Sequence, residues 1–205
     1  MPWIAQTFLT GISSAQLPVE MLVGNDRTTA DVLWFRPFPD TAGNPTRFLF
    51  FNRSRAAVDY SNRTFFGTTL AVSYNFPSGL GLVVTGQFFA QGFFPKAGLQ
   101  YFKRKADLMV FTWVTAELLQ KSKVDWFLLS RWEPQLSRRH RLFSQLELLT
   151  TADPEGTLAL VQRIRLGLGF PRLRWQAGLG LDLGQTGRTT FSTTSNVGLF
   201  IRKDF

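Results

Sequence analysis

The stretch RLRWQAGLGLDLGQTGRTTFSTTSNVGLFIRKDF, Arg172 to Phe205, decides the fold. Its first half alternates strictly. Leu173, Trp175, Ala177, Leu179, Leu181 and Leu183 form one set. Arg172, Arg174, Gln176, Gly178, Gly180, Asp182 and Gly184 form the other. Period-two alternation of this length is the signature of a long β-strand with one apolar face. Gly184-Gln185-Thr186-Gly187 then predicts a turn, and Thr189 to Phe205 a returning strand. Val197, Leu199, Ile201 and Phe205 share one parity on that strand.

Outward from this hairpin the same texture continues. The chain is 44% hydrophobic but has no apolar run of about 18 residues, so no helix is expected to cross a membrane. Apolar residues instead recur at alternate positions. Phe66, Leu70, Val72, Tyr74 and Phe76 oppose Gly67, Thr69, Ser73 and Asn75. Leu158, Leu160, Ile164, Leu166 and Leu168 oppose Arg163, Arg165, Gly167 and Gly169. Turn chemistry punctuates the pattern at Asp40–Pro45, Phe76–Gly79, Gly92–Pro95, Ala152–Gly156 and Phe170-Pro171. About eleven strands are readable after residue 27. Barrels of single bacterial chains have even strand numbers, so residues 1–24 supply a twelfth strand or the count is ten.

A membrane protein without an apolar helix must be a closed barrel, because open sheet edges cannot sit in lipid. The prediction is therefore an all-β, single up-and-down antiparallel transmembrane β-barrel of about twelve strands, with ten as the alternative. Residues 25–205 form it. Residues 1–24 are either a signal remnant or its first strand. The apolar faces are nearly pure, and the opposite faces mix Gly with charges of both signs. That combination fits lipid outside and a narrow lumen inside. A soluble, lipocalin-like ligand-binding barrel would reverse the faces.

The final strand resembles the closing strand of bacterial outer-membrane β-barrels, in which alternate apolar residues before a terminal Phe act as the insertion signal. Val197, Leu199, Ile201 and Phe205 match it, and Lys203 departs from it. From FLFFNRSRAAVDY (residues 48–60) to FIRKDF (200–205), the chain resembles uncharacterised outer-membrane barrels of Bacteroidota. The resemblance implies a bacterial outer-membrane location, contact with its lipid, and delivery by barrel-assembly machinery through the C-terminal strand. It brings no catalytic residues and no substrate.

With 23 Lys and Arg against 14 Asp and Glu, the formal charge is +9. The Arg residues lie within alternating strands and not on one arm or helix, so nucleic acid is not an expected partner. With Phe205 periplasmic, the turn at residues 184–188 is extracellular and that at Phe170-Pro171 periplasmic. Arg163, Arg165, Arg172 and Arg174 then flank one periplasmic turn on the lumen parity, with Arg131, Arg141, Arg53 and Arg55 on other strands. This basic cluster has two readings. It is an electropositive constriction that favours small anionic solutes in a passive pore. Alternatively, Glu117, Glu133, Glu147 and Asp182 pair with it in ladders that fill a non-conducting structural or assembly barrel.

Other chemistry finds little support. There is one His and no Cys. Ser144 lies about 13 Å from His140 along a strand, too far for a nucleophile and its base. Neither metal-ligand spacing nor a glycine-rich phosphate loop is present, so the sequence calls for no cofactor, no metal and no enzymatic activity.

Overall fold

The computed structural model describes residues 17–119 and 123–205. Twelve strands follow one another: β1 Pro18–Gly24, β2 Arg27–Pro39, β3 Pro45–Asp59, β4 Thr64–Asn75, β5 Leu80–Phe89, β6 Gly92–Lys105, β7 Leu108–Glu117, β8 Val124–Trp132, β9 Arg141–Ala152, β10 Leu158–Phe170, β11 Trp175–Gly187 and β12 Phe191–Asp204. Each pairs antiparallel with its neighbours in sequence, and β1 pairs with β12 to close the barrel. Closure removes every sheet edge, which is what a lipid environment demands. The end at which β1 starts and β12 finishes is called the base below, and the opposite end the rim.

The twelfth strand comes from Pro18–Gly24, so the barrel starts before residue 25. Residues 1–16, and with them any signal remnant, lie outside the described residues.

The wall follows the predicted alternation. Leu99, Leu179 and Leu199 point outward and stay more than half exposed, as do Val197 and Phe205 on or just beyond β12. Ile201 points the same way. An exposed apolar outer band, with the barrel's buried charges inside, is the face order of a transmembrane barrel and the reverse of a lipocalin's. Lys203 also points outward, its ammonium 5.0 Å from the ring centres of both Trp175 and Phe205. One ammonium is thus shared between two aromatic rings on the outer face.

Strand limits differ from the sequence reading in three places. β11 begins at Trp175 and not at Arg172. Pro171 follows Phe170, the Leu173 amide donates to the Phe170 carbonyl at 3.0 Å, and Arg174 takes φ 55°, so the chain turns where alternation suggested a strand. Correspondingly β11 runs on to Gly187 through the predicted turn. β6 begins at Gly92 and carries Pro95 within it, paired with Gly86.

Inward glycines shape the cross-section. Gly167 and Gly178 are direct partners across β10 and β11. A Cβ on Gly178 would lie 2.2 Å from the Leu166 carbonyl oxygen, so the two backbones approach closer than any side chain permits.

Candidate functional site: the lumen

The interior divides into two halves. One is apolar and spans β2 to β8. Leu33, Leu49, Phe51, Val83, Phe111, Trp113, Phe127 and Leu129 are all buried there in one cluster. Phe51 on β3 stacks on Phe111 of β7 at 5.6 Å and meets Trp113 edge-on at 5.1 Å. It also reaches Phe127 of β8 at 5.7 Å. Phe35 of β2 touches Phe102 of β6 at 5.1 Å and Phe111 at 4.8 Å. These strands are far apart along the wall, so the rings join opposite sides of the barrel and plug this half.

The signal for the plug was present in the parity. Leu49 and Phe51 share the inward parity of Arg53 and Arg55, and Phe127 and Leu129 that of Asp125 and Arg131. In the sequence, the nearly pure apolar faces mask the apolar residues that lie on the polar faces.

The other half is ionic. Four guanidinium groups, Arg53, Arg55, Arg163 and Arg165, interlock with four carboxylates, Glu20, Asp31, Glu147 and Asp182. Glu147 accepts from Arg53 of β3 and Arg163 of β10. Asp31 accepts from Arg53 at 2.5 Å and Arg55 at 2.9 Å. Asp182 accepts from Arg55 at 3.3 Å and from Arg165 at 2.7 Å, and Glu20 from Arg165 Nε at 2.7 Å. Glu147 is only 1% exposed and Arg165 2%. Gly180 makes room for this bolt: a Cβ there would stand 3.3 Å from Arg165 Cδ and 2.7 Å from Leu22 Cδ1.

The bolt is balanced in charge and lies at mid-barrel. Arg163 and Arg165 sit well inside β10, away from its end at Phe170. Arg172 and Arg174 are exposed in the turn between β10 and β11 and do not face the lumen. The predicted four-guanidinium constriction at one hairpin therefore does not form. Among the predicted acids, Glu147 and Asp182 are bolt members, and Glu133 stands 3.8 Å from Arg131. Glu117 is buried and sits opposite Lys96 in the ladder, not opposite an Arg.

Two polar groups flank the bolt. Toward the base, Gln145 Oε1 accepts from Arg131 Nη2 at 2.8 Å and Arg202 Nη1 at 3.2 Å. Toward the rim, buried Asp125 accepts from Lys96 at 2.5 Å, Gln87 at 2.9 Å and Thr151 at 2.8 Å. Glu20, Asp31, Lys96, Asp125 and Arg202 were not among the expected lumen residues. Glu20, Asp31 and Lys96 are each flanked by apolar residues in the sequence, and Glu20 and Lys96 meet partners two or more strands away round the wall. A cavity of about 10 Å³ lies beside the bolt, lined by Glu20, Asp31, Arg53 and Gln145 among others. It has room for about one water molecule. At the basal mouth, Arg104, Arg131, Arg141, Asp107 and Glu133 line a recess of about 60 Å³.

His140 is in the β8–β9 loop, its Nδ1 3.1 Å from Ser137 Oγ. That hydroxyl also accepts from the backbone amides of Arg139 and His140, each at 3.2 Å, which makes it a loop staple.

No protein-family model matches this sequence. No curated protein matches it either. Among solved structures, the chain is similar to the KdgM porin. The superposition gives a TM-score of 0.52 at 11% identity and covers 93% of this chain and 99% of the porin. A structure of that porin in complex with disordered oligogalacturonate gives 0.51 with the same identity and coverage. At this identity the likeness establishes the fold, a transmembrane barrel of the outer-membrane type.

Proposed function

We propose that this protein is a small-solute channel of the bacterial outer membrane that rests closed. The observation that carries the reading is the cross-lumen contact of opposite walls: rings fill one half and the ionic bolt spans the other. The fold is shared with a porin, which supports the channel class. The bolt supports a movable closure. Buried ion pairs are seldom better for stability than well-packed apolar residues. A barrel needing only to be filled could extend its phenylalanine plug across the whole section. Charges held in register by exchangeable partners can instead re-pair in a second arrangement.

In this reading the solute path runs through the ionic half, from the mouth recess past Gln145, the bolt and Asp125. Anion preference belongs to the opened state, when guanidinium groups are released from their carboxylates. β12 closes the wall against β1, and its outward apolar residues serve insertion by barrel-assembly machinery.

Liposome swelling with small neutral and anionic solutes tests the reading. Vesicles carrying the wild-type protein should swell slowly, and vesicles carrying Glu147→Gln quickly. A folded, inserted Glu147→Gln barrel with no permeability would favour the permanently filled structural barrel.

A further inference from the structure

The net charge of the chain is +9, yet the bolt is neutral and the flanking lumen groups are close to it. The surplus lies at one end. At the base, nine exposed basic residues face two exposed acids, Asp40 and Asp107. At the rim, Arg63 and Arg188 are the exposed basic residues among those described, and Asp26 and Glu155 balance them.

Arg104 and Arg141 of the nine line the mouth recess. The other seven do not line it and are spread round the barrel. Arg47 is on β3, and Lys103 and Lys105 are at the end of β6. Arg138 and Arg139 lie between β8 and β9, Arg172 and Arg174 between β10 and β11. None of these seven has a carboxylate within salt-bridge distance among the described residues. Aromatic side chains accompany them: Tyr74 accepts from Arg47 at 3.2 Å, and Trp132, Trp175 and Phe205 lie near the same end.

We infer that the basal edge is a collar for the anionic headgroups of phospholipids in the adjoining leaflet. Two features point to lipid and not to a docked protein. The cations encircle the barrel, whereas a single protein partner would meet one side. They also adjoin the apolar outer band through an aromatic layer, the place where headgroups lie. Lys203, held over Trp175 and Phe205, shows how a cation emerges at that boundary. Clustered basic residues beside a membrane attract anionic lipid within about a Debye length.

Native mass spectrometry of the full refolded chain, in detergent doped with equal phosphatidylglycerol and phosphatidylcholine of matched acyl chains, tests this. The wild-type barrel should retain several-fold more phosphatidylglycerol, and 1 M salt should remove the surplus before ionisation. A variant carrying Lys103→Gln, Lys105→Gln, Arg138→Gln, Arg139→Gln and Arg172→Gln should lose it. Arg63→Gln with Arg188→Gln should keep it. Heat-dependent gel mobility reports whether each variant has folded. Equal retention of the two lipids by the wild-type protein overturns the assignment without any variant. So does a folded collar variant with the surplus intact. Collar-dependent binding of soluble polyglutamate without lipid preference would overturn it in favour of an acidic protein partner.

Discussion

Arg53 on β3 and Glu147 on β9 form an ion pair across the lumen, and Glu147 also holds Arg163 of β10. Six positions separate these strands in the sequence order, so this carboxylate ties one wall of the barrel to the other. Replacing it with Gln leaves two buried guanidinium groups without their shared counter-charge. Loss of one partner of a buried pair costs about 3–5 kcal/mol. We expect Glu147→Gln to lower the free energy of unfolding by an amount in this range, read from urea titrations followed by tryptophan fluorescence in lipid vesicles. A loss smaller than that of an exposed pair such as Arg63–Asp59 would remove Glu147 from the centre of the bolt.

The apolar half should respond differently. Phe51 is 2% exposed and contacts Phe111, Trp113 and Phe127. Truncation of a buried Phe to Ala costs about 3–5 kcal/mol. The space left by Phe51→Ala is lined by rings and stays dry, since apolar cavities of this kind exclude water. The variant should therefore lose stability without becoming permeable to small solutes. Swelling rates equal to those of Glu147→Gln would show that the plug closes the lumen as much as the bolt does.

Gly180 offers a steric test of the bolt's seat. A methyl group there meets Leu22 and the Arg165 chain. Overpacking of this kind costs about 1–3 kcal/mol. Gly180→Ala should cost more than Gly184→Ala, whose added methyl meets only the flexible Thr194 hydroxyl. Equal midpoints for the two variants would mean that Arg165 does not lie against β11.

The outer face is tested on its own terms. Leu179 and Leu199 are paired on β11 and β12 and are both outward and exposed. Arg placed on the lipid face near the midplane costs about 2–4 kcal/mol. Leu179→Arg should lower the folding free energy into vesicles by that order, whereas Arg at exposed Leu173, in the basal turn, should cost little. Equal effects at the two sites would contradict a lipid-facing wall.

Much of this architecture was legible in the alternation. Strand existence, antiparallel order and the outward direction of Val197, Leu199 and Ile201 follow from period two alone. The boundaries were less so: Leu173 and Trp175 continue the alternation by accident across a turn that Pro171 and the φ of Arg174 impose. The lumen was legible only in part. Arg53, Arg55, Glu147, Arg163, Arg165 and Asp182 stood out as charges on inward parities. Their pairing did not, because Arg53 meets Glu147 across the cavity, a relation fixed by closure and shear that no local pattern records. Glu20 and Asp31 were missed because β1 is short and each is a single charge among apolar residues. The plug was not legible because Phe51 and Trp113 lie on different strands, and only the barrel's closure brings their rings together.

Single-channel recording in planar bilayers, with a salt gradient across the membrane, tests the closed-channel reading most directly. The wild-type barrel should be silent apart from rare, brief openings. Glu147→Gln should show sustained openings that favour anions, since the opened bolt carries surplus guanidinium charge. Steady large conductance from the wild-type protein would contradict closure, and silence from a folded Glu147→Gln barrel would contradict a channel.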